Sequence, residues 1–411
     1  MKLPELNLRF FAAAILLMLI GTVPGCDFFD DNDGDGITLW QTLSSYDEIG
    51  TITTEGISDF YPPEVKPFLA YDVTAYRLVY HTEAPNGESL LASGVVLVPQ
   101  RQNPATMVSL HRSSIFHESE APSNVNIASP DNRNTAWSNL GMLFGSAGFI
   151  TTMPDLLGWG SSSDMLHPYM VAESDEVVGF DMLLATKEML ETEEISWNEN
   201  LYLSGYSQGA STAMAVLKAI EGDPQERFSI SKASAGGGAY NLEELAATIL
   251  EQDELAFSPF YAFFLKAYRN TYFPTEPLNR YFNSPYDNII VSEQLFRGGF
   301  FGDEIEEQLP HQTDLLIRNV FRQQYISGGE AQFREVLMDN DLSNFRVEST
   351  LRLYHGENDE IIPHQEALNS LENLVKAGSE DVSFITVENR SHSGAAGTYF
   401  SETILWFLGQ N

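Results

Sequence analysis

Apolar residues along the chain fall into short runs separated by longer stretches with helical spacing. Thr74 to Thr82 and Leu90 to Pro99, on either side of Pro85-Asn86-Gly87, predict an antiparallel pair of strands. Ala105 to Leu110, Phe149 to Met153, Asn200 to Ser204 and Ile230 to Ala235 are short and largely apolar, the composition of strands buried on both faces. Helical segments fall between them, notably Ala136 to Ser146 and Glu176 to Leu190. Leu351 to Tyr354 and Val382 to Val387 add two strands, with a helix over Glu366 to Lys376 between them and a final amphipathic helix over Gly397 to Leu408. This alternation predicts an α/β fold, a mostly parallel sheet covered by helices on both faces.

Between Tyr240 and Arg346 the strand rhythm stops, and the chain becomes helical in tendency and crowded with aromatics such as Phe257, Phe260, Tyr261, Phe263 and Phe264. Residues 240–346 therefore predict a helical cap inserted between a first core segment, 41–239, and a second, 347–411. The aromatics suit an apolar ligand. They suit equally well the cap's own core, the commoner fate of such side chains.

The first residues follow a different logic. Lys2 and Arg9 precede an apolar run from Phe10 to Ile20, and small residues lead to Cys26, which predicts an export signal over 1–25. The run is too short to span a bilayer as a stable helix. Val23-Pro24-Gly25-Cys26 resembles a bacterial lipobox, so Cys26 is the expected lipidation site, with the chain exported and lipid-anchored in the cell envelope. Cys26 is the single cysteine, which excludes an intramolecular disulfide and a catalytic thiol. Residues 26–40 read as an acidic tether; Asp31 to Gly36 match the first half of a calcium loop, but Thr42 stands where the bidentate glutamate belongs.

With 22 Lys plus Arg against 58 Asp plus Glu, the formal net charge is -36, which excludes nucleic acid and anionic membrane surfaces as partners. Only seven of the cations are lysine, and such a surface suits high salt, where screening weakens self-repulsion.

Candidate chemistry centres on Gly205-Tyr206-Ser207-Gln208-Gly209. A buried strand precedes it and the small residues Ala210 to Ala213 open a helix after it, the strand, tight turn, helix context of a nucleophile elbow. A serine hydroxyl needs a base, an acid that orients the base, and donors for an oxyanion. Asp359 lies in the loop after the strand Leu351 to Tyr354, with Glu357 and Glu360 expected to face solvent, and His392 follows the last strand. The order Ser, Asp, His is the one such elbows use. His81, His117, His311 and His355 lack comparable context and read as structural. The backbone N–H of Gln208 is one expected oxyanion donor, and the other is expected from the loop His111-Arg112-Ser113-Ser114. Arg112 there either adds charge near the oxyanion or lies at the surface.

These residues resemble the α/β-hydrolase superfamily and, within it, the secretory-lipase-like bacterial hydrolases. Three stretches carry the likeness: the elbow, Pro154-Asp155-Leu156-Leu157-Gly158-Trp159-Gly160 with His167-Pro168-Tyr169, and His355-Gly356 through Pro363. The resemblance covers residues 74 to 410 and implies an eight-stranded sheet, a helical cap over the serine, and esterase or lipase activity on a small-molecule or lipid ester. It implies no metal or organic cofactor, and it implies that Asp155 and His167 support the wall of the site, with ordinary loop capping as the alternative for both. A peptidase of the same fold, and a non-catalytic, surface-anchored binding lipoprotein, are the alternatives.

Overall fold

The computed structural model describes residues 41–58, 66–125, 127 and 136–410. The expected leader, Cys26 and the acidic segment through residue 40, with its partial calcium motif, lie outside these residues. Among the described residues no helix is long and apolar enough to cross a membrane.

Among the described residues nine strands form one sheet: β1 (Leu43–Ile52), β2 (Val73–Glu83), β3 (Ser89–Pro99), β4 (Ala105–His111), β5 (Ile150–Pro154), β6 (Trp197–Tyr206), β7 (Ile230–Gly236), β8 (Thr350–Gly356) and β9 (Val382–Val387). Their spatial order is β1-β2-β3-β5-β4-β6-β7-β8-β9. The opening strands pair antiparallel through β3 and β5, and every pairing from β5 to β9 is parallel. The strand absent from the sequence expectation is β1. It lies at the sheet edge, is buried only at Leu43 and Ile52, and shifts register twice, so no apolar alternation marks it.

Helices follow the strands: α1 (Thr54–Ser58), α2 (Ala136–Ser146), α3 (Ala172–Thr192) and α4 (Gln208–Glu221). Between β7 and β8 come α5 (Leu242–Glu251), α6 (Ser258–Tyr272), α7 (Tyr286–Ser292), α8 (Gly302–Glu306), α9 (Thr313–Leu316), α10 (Asn319–Ile326) and α11 (Ala331–Asp339). The core closes with α12 (His364–Lys376) and α13 (His392–Phe407).

Apolar side chains divide the core by sheet face. Val95, Leu97, Val108 and Leu110 pack with Phe144 of α2 and Phe407 of α13. On the other face Val96, Met107 and Leu203 pack with Met182 of α3 and Val216 of α4, and that cluster continues into Phe263, Phe282, Phe321 and Phe333 of the segment between β7 and β8. Much of the aromatic content there is thus core. The parallel strands β4, β6, β7 and β8 direct their carboxyl ends to one edge of the sheet, where open α/β folds bind ligands.

Candidate active site

Ser207 sits between β6 and α4 with φ 57° and ψ -123°, left-handed backbone that a serine adopts only under constraint. The constraint is visible on both sides. A side chain at Gly205 would overlap the carbonyl of Gly209, and one at Gly209 would overlap the carbonyl of His111, so the turn closes only with glycine at each. Ser207 N–H donates to Gly236 O at 2.8 Å, and beneath the turn the Tyr399 hydroxyl accepts from Gly205 N–H at 3.0 Å and donates to Ser234 O at 2.7 Å.

Three loops converge on this serine. His392 Nε2 lies 2.9 Å from Ser207 Oγ, and His392 Nδ1 lies 2.7 Å from Asp359 Oδ2. All three residues are buried. The other carboxylate oxygen of Asp359 accepts from the N–H groups of Ile361 at 2.9 Å and Ile362 at 2.8 Å. Burial pushes the Asp359 pKa up, but hydrogen bonds from His355 and His392 outweigh it and hold the carboxyl well below its ordinary range. An ionised Asp359 fixes the His392 tautomer: Nδ1–H donates to the carboxylate, and Nε2 accepts from the serine hydroxyl.

α13 starts at His392 rather than at Gly397, because Ser391 caps it by accepting from Gly394 N–H at 3.2 Å. Glu357 and Glu360 are exposed, yet each accepts a backbone N–H from the other loop, Asn389 at 2.8 Å and His392 at 3.1 Å, so they tie the acid loop to the histidine loop.

His355, read from its sequence context as structural, is buried against the acid loop. Its Nε2 lies 2.8 Å from Ile362 O and 3.2 Å from Asp359 Oδ2, deep in the interior. Its position four residues before an acid in a post-strand loop was the available sequence signal.

The loop after β4 is drawn to the same place. Ser113 Oγ donates to Tyr206 O at 2.8 Å, next to the Ser207 turn. The surface reading of Arg112 is corrected: the residue is 1% exposed. Its guanidinium donates to Asp155 O at 2.7 Å and Ser113 O at 3.0 Å, so its fork is engaged with backbone carbonyls. Burial lowers its pKa to about 10, which leaves it charged at neutral pH. Gln208 is buried at the start of α4, and its carboxamide reaches His167.

Above Ser207 and Gln208 opens a cavity with about 810 Å³ of empty space, solvent at its mouth included. Leu245, Ala246 and Ile249 of α5 line one wall and Phe260, Tyr261 and Phe264 of α6 another. Its lining is almost wholly apolar, with Ser207 and Gln208 among the few polar residues. Among the described residues no group of three or more His, Cys, Asp or Glu is arranged to hold a metal ion.

Known proteins share this fold. The structure superposes on a protein from Legionella pneumophila assigned as a hydrolase, with TM-score 0.81 at 24% identity over 90% of this chain and 98% of that one. It superposes on the rice cell wall degrading esterase LipA from Xanthomonas oryzae with TM-score 0.78 at 21% identity, covering 90% and 97% of the two chains. For Candida antarctica lipase A the TM-score is 0.69 at 16% identity, over 90% and 81%. At these identities the superpositions establish the α/β-hydrolase fold. A search of curated protein sequences returns no match. The model of the secretory lipase family matches residues 142–409, a span that runs from α2 through α13 and holds the serine turn, the acid loop and the histidine together. The chain belongs to the secretory lipase family and, with it, to the lipase- and esterase-type hydrolases.

Proposed function

We propose that this hydrolase cleaves carboxylic esters through a triad of Ser207, His392 and Asp359, with an acyl-enzyme intermediate. The observation that carries the reading is the unbroken hydrogen-bonded chain from Ser207 Oγ through His392 to Asp359, at the floor of an apolar pocket. His392 Nε2 takes the hydroxyl proton as Oγ attacks the ester carbonyl, and ionised Asp359 stabilises the imidazolium that forms. The Gln208 N–H and a donor from the 112–114 loop receive the oxyanion. His392 then passes the proton to the leaving alcohol, and water, activated by the same nitrogen, releases the acid.

Residues 240–346 act as a cap that holds the acyl chain. Each methylene buried between α5 and α6 is worth about 0.8 kcal/mol, about fourfold in kcat/KM, until the pocket is full. The test is hydrolysis of p-nitrophenyl esters of increasing chain length by the wild type and by Ser207→Ala. We expect the wild-type rate to climb with chain length and Ser207→Ala to fall to background. Equal release by both proteins refutes the nucleophile, and turnover of peptide p-nitroanilides in preference to esters refutes the ester specificity.

The enzyme works outside the cytoplasm, tethered through a lipid on Cys26. Membership of a family of secretory lipases supports export, and the lipobox-like Val23-Pro24-Gly25-Cys26 supports the anchor. Cys26→Ser is expected to move the protein from the membrane fraction to the soluble fraction; unchanged membrane recovery overturns the anchor.

A further inference from the structure

The loop from Asp155 to Met170 carries the Pro154 to Gly160 and His167-Pro168-Tyr169 motifs and has no part in the chemistry above. Its backbone is costly. Leu156 at φ 66° and Met170 at φ 62° bound it in left-handed conformation. Such residues persist only where the surroundings over-determine them.

Three contacts tie this loop to the neighbours of Ser207. Asp155 O accepts from Arg112 at 2.7 Å, the Tyr169 hydroxyl bonds Ser114 Oγ at 2.7 Å, and His167 Nε2 meets Gln208 Nε2 at 2.7 Å. The direction of the last is determined by the other ring nitrogen. His167 Nδ1–H donates to Leu157 O at 2.6 Å, so in the neutral ring only the Nε2 lone pair is left, and the Gln208 amide donates to it. Burial first, and then the Arg112 charge, lower the His167 pKa to about 3, so the acceptor form persists at working pH.

Packing leaves the ring little freedom. Gly158, at φ 85°, lies where any side chain would overlap the His167 backbone, and the rings of Trp159, Tyr169 and Phe263 stand at 6.0, 5.9 and 5.8 Å.

We propose that His167 is a positioning residue that clamps the Gln208 carboxamide and thereby aims the Gln208 backbone N–H at the oxyanion, while the same loop holds the 112–114 segment. The inference rests on reading Ser207 as the nucleophile. Its physical basis is the strain of the turn. Gln208 directly follows a left-handed serine, so relaxation of Ser207 would swing that N–H away, and a donor works only within about 2.7–3.1 Å of the oxyanion position. A side chain anchored in a rigid loop opposes the swing.

Gln208→Met, His167→Phe and the double variant, made in the full chain, test this with p-nitrophenyl butyrate. A trifluoromethyl ketone, which forms a tetrahedral adduct with the serine, supplies a second readout. Each single substitution is expected to lower kcat about 10- to 100-fold with KM within about twofold, and to weaken ketone binding by the same factor. The double variant should be no worse than the poorer single, because both remove one interaction. Additive losses, an unchanged kcat, or a loss confined to KM overturn the clamp. Should His167→Phe fail to fold, Gln208→Met, which leaves the loop intact, decides by the same kcat and ketone criteria. Ser207→Ala separates the two levels. Activity retained there refutes the nucleophile, whereas an inactive Ser207→Ala beside an undisturbed Gln208→Met refutes only the clamp.

Discussion

At the scale of the residue, two buried acids show how environment divides identical chemistry. Asp359 receives two backbone N–H bonds and stands beside two histidines, so it stays ionised. Asp175 of α3 accepts the Thr212 hydroxyl at 2.7 Å, and burial raises its pKa to about 7 against relief from Thr212 and Arg112. Its folded pKa thus exceeds its unfolded value of about 3.9. Asp175 then contributes stability that is fully present below about pH 4 and lost as pH rises through about 7. Chemical denaturation of the wild type and Asp175→Asn across this range tests the sign. The wild type should lose on the order of 4 kcal/mol relative to the variant as pH rises, and parallel profiles would refute the assignment.

At the scale of the element, the helices between β7 and β8 do two things with one set of residues. Phe263 stacks on Tyr169 at 4.8 Å and joins the core, while Phe260 and Phe264 of the same helix face the pocket. Along α6, then, Phe263 is buried in the core while Phe260 and Phe264 both pack against it and line the pocket. α5 contributes the opposite wall, where Ala246 is the smallest lining side chain of that helix. Ala246→Trp should block the pocket. Activity on long-chain p-nitrophenyl esters should fall at least about tenfold relative to short-chain ones, since several methylenes lose their burial. A chain-length profile that keeps its wild-type shape would move the acyl site elsewhere.

At the scale of the whole molecule, charge dominates. A formal net charge of -36 opposes the compact state, and salt screens that repulsion over a Debye length of about 10 Å at 0.1 M and about 3 Å at 1 M. Thermal unfolding followed from low to molar sodium chloride should show a rising midpoint. A flat or falling midpoint would refute the view that self-repulsion among the acidic groups limits stability.

What the sequence determined by itself was whatever depends on local order along the chain. Eight strands are marked by apolar runs, the serine turn by its glycines, and the positions of Asp359 and His392 by the strands they follow. β1 escaped because an edge strand needs no apolar alternation. Only the tertiary structure decided which side chains meet across long separations. Arg112 turns inward to Asp155 O, Gln208 reaches His167, and His355 shares Asp359 with His392. These are contacts between loops at the ends of different strands, and their partners are chosen by how the sheet stacks those ends together. No local pattern of hydrophobic and polar residues encodes that choice, because each of these side chains is polar and each becomes buried only once its partner arrives.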